Sequence, residues 1–267
     1  MKQNETVETK PERVKTENDH SVEIDGSKMN ANVQGSEEPD AQVVVLLPGN
    51  GGEDPLFDYE PLIAKLGDCR VVTIDPFGAG LSENKPEGDR SKLTADDIYS
   101  VLEKLSTPNE DGKSVIPQNS KYTIVAHSAA GAAGQEFAAS HPEETQGFVG
   151  IDAYLPGQDE FLIETYDQNL IPDTKSPTDQ ELTEQKYKMR FPETVPTIFV
   201  IPDYLKQEYN EENPNNGGAP ELIKWRGERL SPAAGSQMLF AGKEHFAHHD
   251  PAGANAIAEA IKSLKLR

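Results

Sequence analysis

Ser128 lies in the stretch Ala126-His-Ser-Ala-Ala130, between a short β-branched apolar run and an alanine-rich helical stretch. A serine on such a strand-to-helix turn is held in a strained backbone conformation with its hydroxyl lifted clear of the sheet. That presentation suits nucleophilic attack on an acyl carbon. The turn brings strand and helix backbones close, so its flanking residues must be small, and both are alanine here. Pro48-Gly-Asn-Gly-Gly52 follows an earlier apolar run. A glycine-rich loop at that place can aim backbone N–H groups at a developing oxyanion, beside the N–H of Ala129. Asn50 is the first choice for the loop donor and Gly51 the second. His245, in Gly242-Lys-Glu-His-Phe246, comes far downstream. A neutral imidazole there can take the serine proton and return it to the leaving group. Neither Walker nor Rossmann spacing is present, which argues against a phosphate cradle in the glycine loop.

Three apolar runs of the fully buried kind must carry these turns: Val43–Leu47, Val71–Ile74 and Tyr122–Ala126. Each is too short for a helix and rich in β-branched residues. Further strands are expected at Phe148–Ile151, Thr197–Ile201 and Met238–Phe240. Before them, weak alternation through Val22, Ile24, Met29, Ala31 and Val33 around Asp25-Gly26 predicts a hairpin of two edge strands. Thr94-Ala-Asp-Asp97 reads as a capping box, after which Ile98, Val101, Leu102 and Leu105 fall on one helix face. Gly131–Ser140 is the helix after the elbow. A last helix starts at Asp250-Pro251 and shows Ile257, Ile261 and Leu264 on one side. Strand and helix alternate over most of the chain, which predicts an α/β fold: a mostly parallel twisted sheet with helices on both faces. In such sheets chemistry sits at the carboxyl ends of strands.

Composition narrows the class of function. The 267 residues carry 25 basic and 46 acidic side chains, a net charge of −21. A field of that sign repels phosphate backbones and anionic lipid, so no nucleic-acid partner is expected. The longest apolar run falls far short of the roughly 20 residues of a bilayer span, so no membrane span is expected. A single cysteine, Cys69, excludes an internal disulfide. His245, His248, His249 and Asp250 match no metal-ligand spacing, so no metal is expected, and His248 and His249 are read as closing the turn before the last helix. The catalytic parts are all protein groups, and no cofactor is called for. Residues 1–12 read as a polar disordered leader, open both to a cytoplasmic start and to a surface or secreted protein whose export signal has been removed. Residues 153–195 interrupt the strand–helix rhythm and read as a small lid, leaving 13–152 and 196–267 as the core.

With these motifs in this order, the chain resembles the α/β-hydrolases over roughly residues 12–265. Asp75-Pro-Phe-Gly-Ala-Gly-Leu-Ser82 is similar to the D-x-x-G-x-G-x-S turn of that family, and residues 140–153 resemble its path from the nucleophile helix into the next strand. The departures are Pro48 where a histidine is common, and alanine on both sides of the elbow. The resemblance implies a Ser-His-Asp triad of Ser128, His245 and an acid. Asp203 stands near the usual position but one residue early, with Pro202 in place of the usual glycine. Asp152, at the end of the preceding strand, matches the place some relatives use; it is slightly preferred, with Glu208 a distant third. The implied activity is hydrolysis of carboxylic esters, carboxylesterase- or lipase-like, through an acyl-enzyme on Ser128, with a small uncharged ester or acyl substrate. Aminopeptidase, amidase or thioesterase chemistry on the same triad, and a non-catalytic binding protein on the same fold, are the alternatives. Dehalogenase and epoxide hydrolase chemistry generally needs an aspartate where Ser128 stands.

Overall fold

The computed structural model describes residues 13–50, 54–84, 93–166, 189–206 and 220–265. Eight strands form one sheet: β1 Asp19–Ile24, β2 Ser27–Gly35, β3 Val43–Leu47, β4 Arg70–Asp75, β5 Tyr122–His127, β6 Thr145–Ile151, β7 Thr197–Ile201 and β8 Gln237–Phe240. Their order is β1-β2-β4-β3-β5-β6-β7-β8. From β4 to β8 all neighbours are parallel, while β1–β2 and β2–β4 are antiparallel. The hairpin therefore forms as expected, turning through Asp25 (φ 51°) and Gly26 (φ 77°). One expectation is corrected. Of the two hairpin strands only β1 lies at the sheet edge, because β2 also pairs with β4 along Asn30–Gly35.

The side-chain period of two divides each central strand between two cores. In β3, Val43, Val45 and Leu47 face one core while Val44 and Leu46 face the other. The first core takes helix α3 (Ala95–Ser106), through Ile98, Val101, Leu102 and Leu105, and helix α4 (Ala130–Ser140), through Ala133 and Phe137. The predicted capping box closes α3, with Thr94 and Asp97 bonding each other's backbone. The second core takes two single turns, α1 (Pro55–Asp58) and α2 (Glu60–Ile63), and the C-terminal α7 (Pro251–Ser263), through Tyr59, Leu62, Ile257 and Ile261. Asp250 caps α7 by accepting from the Ala252 N–H, and Pro251 occupies its first turn. Helix α5 (Gln158–Tyr166) packs on α6 (Pro220–Gly227), which packs on β7 and on the turn that follows it. Of the expected lid, residues 153–166 and 189–195 are described, and 167–188 lie outside the described residues, as does the expected leader.

The D-x-x-G-x-G-x-S turn has a physical explanation. Asp75 at the end of β4 accepts from the Leu81 N–H at 3.0 Å, and Ser82 Oγ donates to the Asp75 carbonyl at 2.6 Å. The chain thus folds back on its own strand end. A Cβ at position 80 would lie 2.4 Å from Asp75 Oδ2, and φ there is +52°, so glycine is required. Arg13 joins this turn to the loop after β3. Its buried guanidinium bonds Asp75 at 2.7 Å, Asp54 at 2.8 Å and Asp19 at 3.0 Å. Asp54 also caps α1 and sits directly after the glycine loop, so the loop's exit is tied to the sheet by a buried cation shared among three carboxylates.

Candidate functional site

Ser128 follows the last residue of β5 and has φ +49°, the left-handed conformation expected of a nucleophile elbow. The elbow is tied down by its own backbone. Its N–H donates to the Ile151 carbonyl at 3.1 Å, and its carbonyl accepts from Gly131 (3.0 Å) and Tyr154 (2.8 Å). The flanking alanines are buried, at 0% exposure for Ala126 and 5% for Ala130. Across from the elbow, a Cβ on Gly49 would lie 2.8 Å from Ser128 Cβ, so the glycine lets the β3 loop close over the serine. Helix α4 begins at Ala129 and Ala130 with no side-chain cap, which leaves first-turn N–H groups able to meet an anion. Asn50 and Ala129 both border a pocket of about 240 Å³, walled further by Pro48, Pro76, Ala133 and Tyr154. Gly51 lies outside the described residues.

His245 is brought to the same place. Its ring packs on His127, the residue before Ser128, at 4.6 Å between centroids, and His127 Nε2 lies 3.2 Å from the His245 carbonyl oxygen. His245 Nδ1 lies 2.7 Å from Asp152 Oδ2. Asp152 stands just past β6 with φ +39°, a second left-handed backbone at the carboxyl end of the sheet. Of the two favoured acids, Asp152 is thus the one in contact with His245. Asp203 turns away: its half-exposed carboxylate is bound by Lys206 at 2.7 Å, one turn along a 3-10 turn (Asp203–Lys206) that continues from β7. The same turn instead sends Tyr204 inward, to donate its hydroxyl to Asp152 Oδ2. Glu208 lies outside the described residues.

Two partners of Asp152 were not foreseen in the sequence. Tyr204 is one, and Arg226 on α6 is the other, its Nη1 donating to Asp152 Oδ1 at 2.7 Å. Burial alone would push the Asp152 carboxyl upward. The bonds from His245, Arg226 and Tyr204 reverse that and hold it well below the ordinary carboxylate range. The acid is therefore fully ionised at neutral pH. The 2.7 Å contact of Oδ2 with His245 Nδ1 suits the tautomer protonated on Nδ1, in which Nε2 carries a free lone pair.

Beneath these groups lies a histidine cluster. His249 Nε2 is 2.7 Å and His248 Nε2 3.4 Å from the Asp58 carboxylate on α1. These three are the groups among the described residues suited to hold a metal ion, their ligand atoms lying within 4.8 Å of one another. Asp250, grouped with the histidines in the sequence, is occupied as the α7 cap. The backbone of His249 does close the turn, onto the Phe246 carbonyl at 2.9 Å.

His127 is 1% exposed, and burial, then the neighbouring His248 and His245, push its imidazole down to about 3 from 6.5. The unfolded chain binds a proton there that the folded chain refuses. Stability present above pH 6.5 is therefore lost as pH falls through that window, at up to about 1.4 kcal/mol per pH unit. His248 is shifted in the same direction, again mainly by burial. His127→Asn is expected to lessen the fall of the urea midpoint between pH 6.5 and 4; equal slopes in both proteins would refute the assignment.

No family model matches the chain. A curated relative, RutD of Yersinia enterocolitica, described provisionally as a carbamate hydrolase, is 28% identical over 124 residues, which is 46% of this chain. The match spans only 40% of the length of that relative. Among solved structures, the thioesterase domain from the curacin biosynthetic pathway superposes with a TM-score of 0.58 at 16% identity, covering 91% of this chain and 98% of that one. A haloalkane dehalogenase loop variant from Bradyrhizobium elkanii does so with a TM-score of 0.58 at 15% identity, covering 92% and 96%. At such identities the likeness is one of fold. No helix of the described residues is long and apolar enough to cross a membrane.

Proposed function

We propose that this chain, which has the α/β-hydrolase fold, is a serine hydrolase cleaving small uncharged carboxylic esters through an acyl-enzyme on Ser128. The observation that carries the reading is the 2.7 Å contact of His245 Nδ1 with the buried carboxylate of Asp152, beside an elbow that holds Ser128 at φ +49°. Ser128 Oγ attacks the ester carbonyl carbon while His245 Nε2 takes its proton. The carbonyl oxygen becomes an oxyanion held by the N–H groups of Ala129 and Asn50, with Gly51 as second choice in the loop. Collapse breaks the ester C–O bond, and the proton on His245 passes to the departing alkoxide. Water, deprotonated by the same imidazole, then releases the acid and regenerates the serine. Asp152 stays ionised throughout and stabilises the imidazolium form.

The pocket bordered by Asn50 and Ala129, next in sequence to Ser128, is taken as the acyl site. At about 240 Å³ it falls below the roughly 300–1,000 Å³ of drug-sized sites, and it suits a short acyl group. The chain's charge of −21 disfavours anionic substrates. Ser128 in place of an aspartate separates the reading from the dehalogenase among the structural neighbours. Tyr154, at the start of the expected lid, borders this pocket.

The test combines fluorophosphonate labelling, read by intact mass and peptide mapping, with p-nitrophenyl esters of graded chain length. One adduct on Ser128 is expected, with kcat/KM highest for short acyl groups and falling steeply by dodecanoyl. Folded protein that takes no adduct would overturn the reading and favour a binding protein on the same fold. A profile rising to long chains would overturn the pocket assignment alone.

A further inference from the structure

We propose that Arg226 is a positioning residue for the acid–histidine pair: it clasps Asp152 by one carboxylate oxygen, keeps the other aimed at His245, and ties the pair to helix α5. The inference rests on the reading of Ser128, His245 and Asp152 as a serine triad. The Arg226 and Asp152 side chains are each 3% exposed, and Nη1 meets Oδ1 at 2.7 Å. The second arm of the guanidinium, Nη2, reaches Gln158 Oε1 at 3.3 Å, in the first turn of α5. Asp152 is thereby divided between two tasks. Oδ1 faces the cation, and Oδ2 is shared by the Tyr204 hydroxyl and His245.

A serine hydrolase needs from its acid both direction and restraint. The carboxylate must orient the imidazole and stabilise its protonated form, yet the histidine must stay unprotonated at working pH in order to act as base. A buried carboxylate with no counter-charge would hold a proton on the imidazole too strongly. A guanidinium on its far oxygen offsets part of that field, and its bond from Nη1 engages Oδ1 so that Oδ2 is left for His245. The other titratable or charged groups around the pair are Tyr204 from the 3-10 turn, His127 from β5, and Glu244 and His248 from the loop that carries His245. Gln158, from α5, is neutral. Arg226 is thus the positive charge seated directly on the acid. Because the same guanidinium bonds Gln158, the placing of α5 and the aim of the triad share one side chain.

The rate of fluorophosphonate labelling at Ser128, followed against pH in the wild type, Arg226→Gln and Arg226→Lys, separates charge from packing. Without the cation, Asp152 stabilises the imidazolium more strongly, so the labelling rate should begin to fall at a higher pH. In Arg226→Gln that acid limb is expected to move up by about one pH unit, with labelling at neutral pH slowed about tenfold. Arg226→Lys keeps the charge and should hold the limb near its wild-type position while losing rate with the two-armed clasp. A limb unmoved in Arg226→Gln, or equal losses in both variants that track a lower urea midpoint, would overturn the proposal and leave Arg226 a structural residue. Should Arg226→Gln fail to fold, the Lys variant and the downfield Nδ1 proton of His245 in NMR spectra decide. That resonance should survive in Arg226→Lys, and a resonance as sharp and as pH-resistant in folded Arg226→Met would again overturn the proposal. Absence of any adduct in the wild type would instead bring down the serine reading on which this one rests.

Discussion

Ser128→Ala is expected to lower kcat on the best p-nitrophenyl ester by a factor on the order of 10⁶, and to abolish the phosphonate adduct. The size of the loss follows from the site's geometry. The proposed oxyanion donors and the pocket survive the substitution, so substrate should still bind, but no other group is seated on the elbow to attack. His245→Ala should fall about as far, and the double variant no further, because the two act as one unit in proton transfer. Stability should stay within about 0.5 kcal/mol of wild type for Ser128→Ala. Alanine suffers at φ +49° as serine does, and the bonds that hold the elbow come from the backbone of residue 128. The measurement is kcat beside the urea midpoint. A Ser128→Ala protein that keeps a tenth of the wild-type kcat, with its midpoint unchanged, would remove Ser128 from the chemistry.

The central sheet was legible because its signals are local. Val43–Leu47 and Thr197–Ile201 are apolar on both sides of the pleat and are strands with the limits expected of them. Thr94 and Asp97 cap α3 through neighbours three residues apart. The elbow was legible because a strained turn demands small flanks. What escaped depends on contacts between distant segments. The sequence favours Asp152 over Asp203 only slightly, and what separates them is the 3-10 turn after β7, which presents Tyr204 inward and Asp203 to solvent. Arg226 left one signal that went unread. Leu222, Trp225 and Arg226 fall at helical spacing and are all buried, so a cation occupies an apolar position of α6 and requires a buried anion opposite. His248 and His249 gave no such sign, since Asp58 comes from a single turn of helix near the other end of the chain.

The proposed acid supplies the second large effect. Asp152→Asn is expected to reduce kcat by about 10⁴, because an amide in that place can hold His245 in the wrong tautomer and cannot balance an imidazolium. Asp203→Asn should leave kcat within about twofold, since its carboxylate is engaged by Lys206 at the surface. The Asp152 variant carries a second cost, which must be separated from the first. It leaves the Arg226 guanidinium buried without its anion, and breaking a buried pair from one side costs about 3–5 kcal/mol. Adding Arg226→Gln to Asp152→Asn removes the orphaned charge, so the urea midpoint should recover while kcat stays low. If kcat recovered together with the midpoint, the loss would have been one of folding and Asp152 would not be the acid. Loss of kcat in Asp203→Asn, with Asp152→Asn near wild type, would move the acid to β7 and with it the role of every group now gathered on Asp152.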